Sequence, residues 1–163
     1  IPSVVTQDPE LNLLLWPVCS GLENKRGMDA ACSISFKYGM KRDFNRWLET
    51  LGPSAPVGSL TELRRWNLEH QAAGTLKYGQ AQLDISDEMD VERDQVRYEA
   101  DRAKDVALGG REGIDAALSA GRLDALLFPG PGGASITAKP GYPTVTVPFG
   151  TVLRKRVLLS HRA

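Results

Sequence analysis

The sequence predicts an α/β fold in which helices pack on a few mostly parallel strands. Two short runs toward the C-terminal end, "RLDALLFPG" and "TVTVP", are continuously apolar or β-branched rather than alternating. That is the pattern of interior strands covered on both faces. Upstream, apolar residues recur at helical spacing in segments punctuated by Gly and Pro, the mark of amphipathic helices. With 163 residues, 42% hydrophobic and 25% charged, the chain is long enough for one domain with its own core.

Residues 1–32 read as irregular, with Leu11, Leu13, Leu14 and Leu15 forming a short run that Pro17 stops. Met40, Phe44, Trp47, Leu48 and Leu51 then mark the core-facing stripe of a helix that ends at Gly52-Pro53. After the linker "GPSAPVGS", the Ser59-Leu60-Thr61-Glu62 spacing is that of a capping box. A helix follows to about His70, which reads as a surface or C-terminal residue. Residues 75–90 read as a short helix and a polar turn.

A long helix begins at Val91, with the small stripe Val96, Ala100, Ala103 and Ala107 facing a neighbour. The pairs Arg97/Asp101 and Glu99/Arg102 lie on its other, solvated face. Gly109-Gly110 should kink or break it, and the pattern resumes through Ile114, Ala117 and Leu118 to Gly121. Strands are expected at Leu123–Phe128 and Thr144–Val147, joined by a glycine-rich loop.

Composition excludes several classes. Lys+Arg 20 balances Asp+Glu 20, which argues against a dedicated nucleic-acid binder, since that needs a basic face. No apolar run reaches membrane-spanning length. Cys19 and Cys32, with only His70 and His161 beside them, give no zinc spacing and read as two reduced thiols of a cytoplasmic protein. No cofactor or metal is expected. The chain opens Ile1-Pro2-Ser3 without Met, and the expectation is a piece of a longer protein.

The stretch "FPGPGGASITAKPGYPTVTVPFG" raises two chemical readings. A phosphate cradle needs consecutive amides at a helix start, and Pro129 and Pro131 remove two donors. A nucleophilic Ser135 needs a base within reach, and Thr137 stands where a nucleophile elbow carries its second Gly. Lys139 is four residues on, in a Pro/Gly context that reads as solvent-facing. The remaining reading is a loop between two strands.

These residues also resemble the C-terminal part of the amidase signature family. Ala138, Gly141, Pro143, Thr146, Val147 and Pro148 fit a short family pattern. "KRDFNRWLETLGPSAPVGSLTELRRWNLEH" and "RYEADRAKDVALGGREGIDAAL" are similar to the family's preceding helices. The resemblance is clearest over residues 36–150, with residues 1–150 taken as the amidase-like part and 151–163 as a divergent basic tail. It looks most like fungal and bacterial amidases near the glutamyl-tRNA amidotransferase A subunit.

The resemblance implies the C-terminal fragment of the amidase signature fold, and hydrolysis of a carboxylic amide by the complete protein. It places the serine nucleophile, its partner serine and the lysine base in a serine-rich signature and strand that this sequence lacks, so no catalytic residue is assigned here. Pro129, Gly130, Gly132 and Gly133 are the expected substrate-binding wall. The implied partner is a small amide, bound together with the missing portion. A homodimer through an exposed edge or apolar face is the other expected contact. The competing readings are a non-catalytic amidase-like interaction module and an unrelated small α/β domain.

Overall fold

The computed structural model describes residues 1–19, 29–128 and 130–148. Pro129 and the basic tail 151–163 lie outside them. Among the described residues the chain is helical and carries no strand. Its only strand-like pairing there is a parallel bridge between Val18 and Ser33. The α/β expectation is therefore corrected.

The reason lies in Leu123–Phe128 and Thr144–Val147 themselves. A strand needs a neighbour to take its backbone hydrogen bonds and a layer to cover its side chains. Neither segment has regular structure. Leu127 is 88% exposed and Val145 86% exposed. Their β-branched, apolar content is real, but among the described residues no second strand meets them.

The N-terminal segment is not wholly irregular. Helix α1 (Pro2–Val5) and a 3-10 turn over Leu13–Leu15 form there, and the side chain of Asn12 accepts from the Leu14 amide at the turn's start. Helix α2 (Ser35–Leu51) starts earlier than the stripe suggests. It ends at Gly52, whose φ of 53° is a conformation that only glycine adopts cheaply.

Ser59 caps helix α3 (Leu60–Glu69) by accepting from the Glu62 amide at 3.2 Å. The reciprocal arm lands one residue early, with the Gly58 amide donating to the Glu62 carboxylate at 2.6 Å. Asn45 of α2 also accepts from the Leu60 amide at 2.8 Å, so α2 helps terminate α3. Helix α4 (Ala81–Asp87) is locked to both. Arg64 of α3 donates to Asp84, and Lys41 of α2 donates to the Asp87 and Met89 carbonyls at 2.7 Å. A lysine at the carbonyl end of a helix also complements its dipole.

Helix α5 (Gln95–Val106) passes directly into a π-helical segment, Ala107–Asp115, and then into helix α6 (Ala116–Gly121). The glycines widen the helix rather than break it. A Cβ on Gly109 would lie 2.7 Å from Cδ of Pro140, so a glycine there lets the Pro140 turn come close. That turn follows a 3-10 segment, Gly130–Gly133, and helix α7 (Ala134–Ala138).

The buried face of α5 is opposite to the one its small residues suggest. Val96, Ala100 and Ala103 are exposed. Asp94, Asp101 and Asp105 are buried. Glu99 does not pair with Arg102; it accepts from Gln95 at 2.9 Å. The Met40–Phe44–Trp47 stripe of α2 is likewise only partly core, because Met40 and Trp47 remain exposed while Leu48 is buried.

Two apolar clusters result. One holds Cys19, Cys32, Ile34, Tyr38, Ile85 and Met89. Within it Tyr38 stacks on Tyr98 with ring centroids 4.4 Å apart. The other holds Leu13, Trp16 and Leu108. Cys19 and Cys32 are not reduced thiols but a disulfide, completely enclosed by the first cluster. Closing a loop of that size restricts the unfolded chain by about 3 kcal/mol. Replacing both cysteines with serine should lower unfolding stability by about 3 kcal/mol in urea titrations, and reductant should do nothing further to that variant. Coincident midpoints for the oxidised native chain and the variant would show that the crosslink contributes nothing.

Candidate functional site

The two clusters are joined by a buried polar knot centred on Asp105, which is 1% exposed. Its Oδ1 accepts from the Trp16 indole Nε1 at 3.1 Å and lies 3.1 Å from Lys139 Nζ. Its Oδ2 accepts from the Ser33 hydroxyl at 2.6 Å. The Ser35 hydroxyl sits 2.9 Å from that of Ser33, and with the Ser33 proton committed to Asp105 it is Ser35 that donates. Lys139 also donates to the Trp16 carbonyl.

One turn earlier on α5, Asp101 repeats the arrangement. It accepts from the Ile34 amide at 2.9 Å and faces Arg97 at 3.5 Å. Arg97 in turn donates to the Cys32 carbonyl at 3.1 Å. Two carboxylates thus meet two cations, and segment 29–35 is held along its backbone. Burial pushes the Asp101 carboxyl above the usual aspartate range, against the pull of the Ile34 amide and Arg97. Burial also holds Lys139 below an ordinary lysine, although Asp105 draws it back.

Beside the knot lies a cavity of about 430 Å³. Phe36, Met40 and Phe44 line it from successive turns of α2. Tyr98 and Arg102 line it from α5, and Ala138 and Lys139 from the end of α7. Ser35 and the pair Arg42/Asp43 complete it. Arg42 bonds Asp43 at 2.7 Å and lies over the Tyr98 ring at 4.9 Å from its centroid. The exposure of Met40 has its explanation here: its side chain faces an opening rather than a core.

Gly132 and Gly133 are not among the residues that line this cavity. A Cβ on Gly133 would lie 2.6 Å from the Phe128 ring, and Gly132 faces open space. Gly130 opens the same 3-10 turn, and Pro129 is outside the described residues. The chain enters the cavity wall several residues later, at Ala138 and Lys139. Lys139 is 6% exposed, which corrects the solvent-facing expectation. Ser135 is exposed on the short helix α7. His70 is exposed and stacks on Trp66 at 4.1 Å, a helix-end arrangement with no reach to the cavity residues.

Chemically, the knot is balanced. The Asp105 carboxylate is occupied by three donors, and a lysine ammonium bound to a carboxylate and a carbonyl has no lone pair to act as base. Ser33 is fully buried. The arrangement orients the cavity wall; it does not activate a nucleophile. No family model, curated protein or solved structure matches this chain.

Lys139→Met should leave Asp105 buried without its counter-charge. Removing one partner of a buried pair costs about 3–5 kcal/mol. Chemical denaturation should show a loss of that order. The double variant Asp105→Leu/Lys139→Met should lose less than the two single changes added together. Strict additivity would mean that the two groups do not interact.

Proposed function

We propose that this chain is the pocket-bearing, non-hydrolysing portion of an amide hydrolase that converts a carboxylic amide to a carboxylate and ammonia or an amine. One observation carries the reading. The amidase-like segments, well separated along the chain, supply the walls of a single cavity: α2 from one, α5 from another, and Ala138 and Lys139 from the third. The satisfied state of the Asp105 knot and the lack of a serine-rich signature in the 163 residues support placing the bond-breaking chemistry outside them.

A second reading, an interaction module, is favoured by the exposed apolar side chains of Leu127, Val145 and Val147. Such surface favours association with another chain, here most simply a second copy. No described helix is long and apolar enough to cross a membrane. The cytoplasmic expectation was built on reduced thiols and loses that argument. A disulfide between Cys19 and Cys32 fits an oxidising compartment better.

Assayed against aryl and aliphatic amides, the chain alone should show no turnover. Turnover abolished by Ser135→Ala or Ser35→Ala would place the chemistry within the chain and overturn the reading. Sedimentation over a concentration range separates the second reading. Concentration-dependent dimers lost in Leu127→Asp/Val145→Asp would support it, and a monomer at every concentration would remove it.

A further inference from the structure

Along α5 and the π-helical segment that follows, the cations can be accounted for one by one. Arg97 faces Asp101 at 3.5 Å. Lys104 meets Glu10 at 2.9 Å, and Arg111 meets Glu112 at 2.9 Å. Arg102 differs. Its guanidinium donates to the Lys139 carbonyl. Among the described residues no carboxylate lies within ion-pair distance of it, since Glu99, one turn away, is engaged with Gln95.

Arg102 lines the 430 Å³ cavity, and also the neighbouring depression of about 720 Å³ on the outer side of α5. The other charges of the smaller cavity are already paired: Arg42 with Asp43, and Lys139 with Asp105. Among the described residues the cavity therefore carries one uncompensated positive charge beside apolar walls. An arginine with free N–H groups presents a planar fork that matches a carboxylate. A volume of this size is at the lower end of small-molecule sites.

We infer that this cavity binds a small monocarboxylate with an aromatic or branched aliphatic body, with Arg102 as the carboxylate partner and Phe36, Met40 and Phe44 holding the apolar part. The inference rests on the amide-hydrolase reading for the source of the ligand: cleavage of an amide leaves such an acid. It rests on the charge and shape of the cavity for everything else. Arg102 binds the ligand and takes no part in bond cleavage.

The test uses the full 163-residue chain and two probes, 3-phenylpropionate and its neutral amide, 3-phenylpropanamide. Binding is followed by amide shifts in the isotope-labelled chain. The acid should saturate, with shifts centred on Phe36, Met40 and Arg102, and should bind at least tenfold more tightly than the amide. Arg102→Gln should weaken the acid by tenfold or more and leave the amide within about twofold; Phe36→Ala should weaken both. Should Arg102→Gln lower the thermal midpoint sharply, Arg102→Lys and the acid-to-amide ratio of the unaltered chain decide the matter. Equal binding of acid and amide, or no loss in the Arg102 variants, would overturn the carboxylate assignment and leave the amide-hydrolase reading standing. Saturation by neither probe would overturn the carboxylate assignment, while the amide-hydrolase reading is judged separately by the turnover assay.

Discussion

The Asp105 carboxylate is the point on which the rest of the structure depends. It is buried to 1% exposure and gathers Trp16, Ser33 and Lys139 from three separate stretches of chain. A buried carboxylate without partners is costly by several kcal/mol, and its partners must arrive with good geometry to offset that cost. This requirement sets the position of the N-terminal segment, of segment 29–35 and of the turn after α7 relative to α5. Hydrophobic burial then operates on either side of it, through the Tyr38 cluster and the Leu108 cluster. The disulfide holds together two of the strands of chain that must meet there.

The local features of the fold were legible and the long-range ones were not. The Ser59 cap and the stop at Gly52-Pro53 follow from neighbouring residues, and each occurs; at Gly109-Gly110 the helix runs on as a π-helical segment instead of the expected kink or break. The orientation of α5 could not be read the same way. Asp101 and Asp105 lie four apart, and Val96, Ala100, Ala103 and Ala107 lie three or four apart, so either stripe could face inward. What decides is the pair of bonds from Ile34 to Asp101 and from Ser33 to Asp105, whose donors lie 67 and 72 residues away in sequence. Segments Leu123–Phe128 and Thr144–Val147 fail as strands for a similar reason. Strand propensity describes a side chain that fits a covered, pleated surface, and the described residues provide no such surface.

The site was legible in part. The stripe from Met40 to Leu51 reads as core-facing and Lys139 as solvent-facing, yet Met40, Phe44 and Lys139 all line the cavity. Of the glycine-rich turn expected to be the wall, Gly133 lies close to Phe128 and Pro129 is outside the described residues. Lys139 looked solvent-facing because Pro and Gly surround it. In the folded chain that same Pro140 packs close to Gly109, and the resulting contact carries Lys139 inward to Asp105. A lysine followed by proline, together with a glycine pair in a distant helix, was the available signal. The pairing of Arg102 was legible only as a spacing, and the spacing misled, because Gln95 competes for Glu99.

The chain has three tryptophans, and they differ in a way that tests the central role of Asp105 directly. Trp16 is 7% exposed and its indole N–H is bound to Asp105, whereas Trp47 and Trp66 are 53% and 45% exposed. Hydrogen exchange of the three indole N–H groups can be followed individually under native conditions. If Asp105 holds the fold together, the Trp16 indole exchanges only through global unfolding, with an opening free energy equal to that from urea denaturation, while the other two exchange rapidly. Exchange of the Trp16 indole as fast as that of Trp47 and Trp66, in a chain that is otherwise folded, would contradict it.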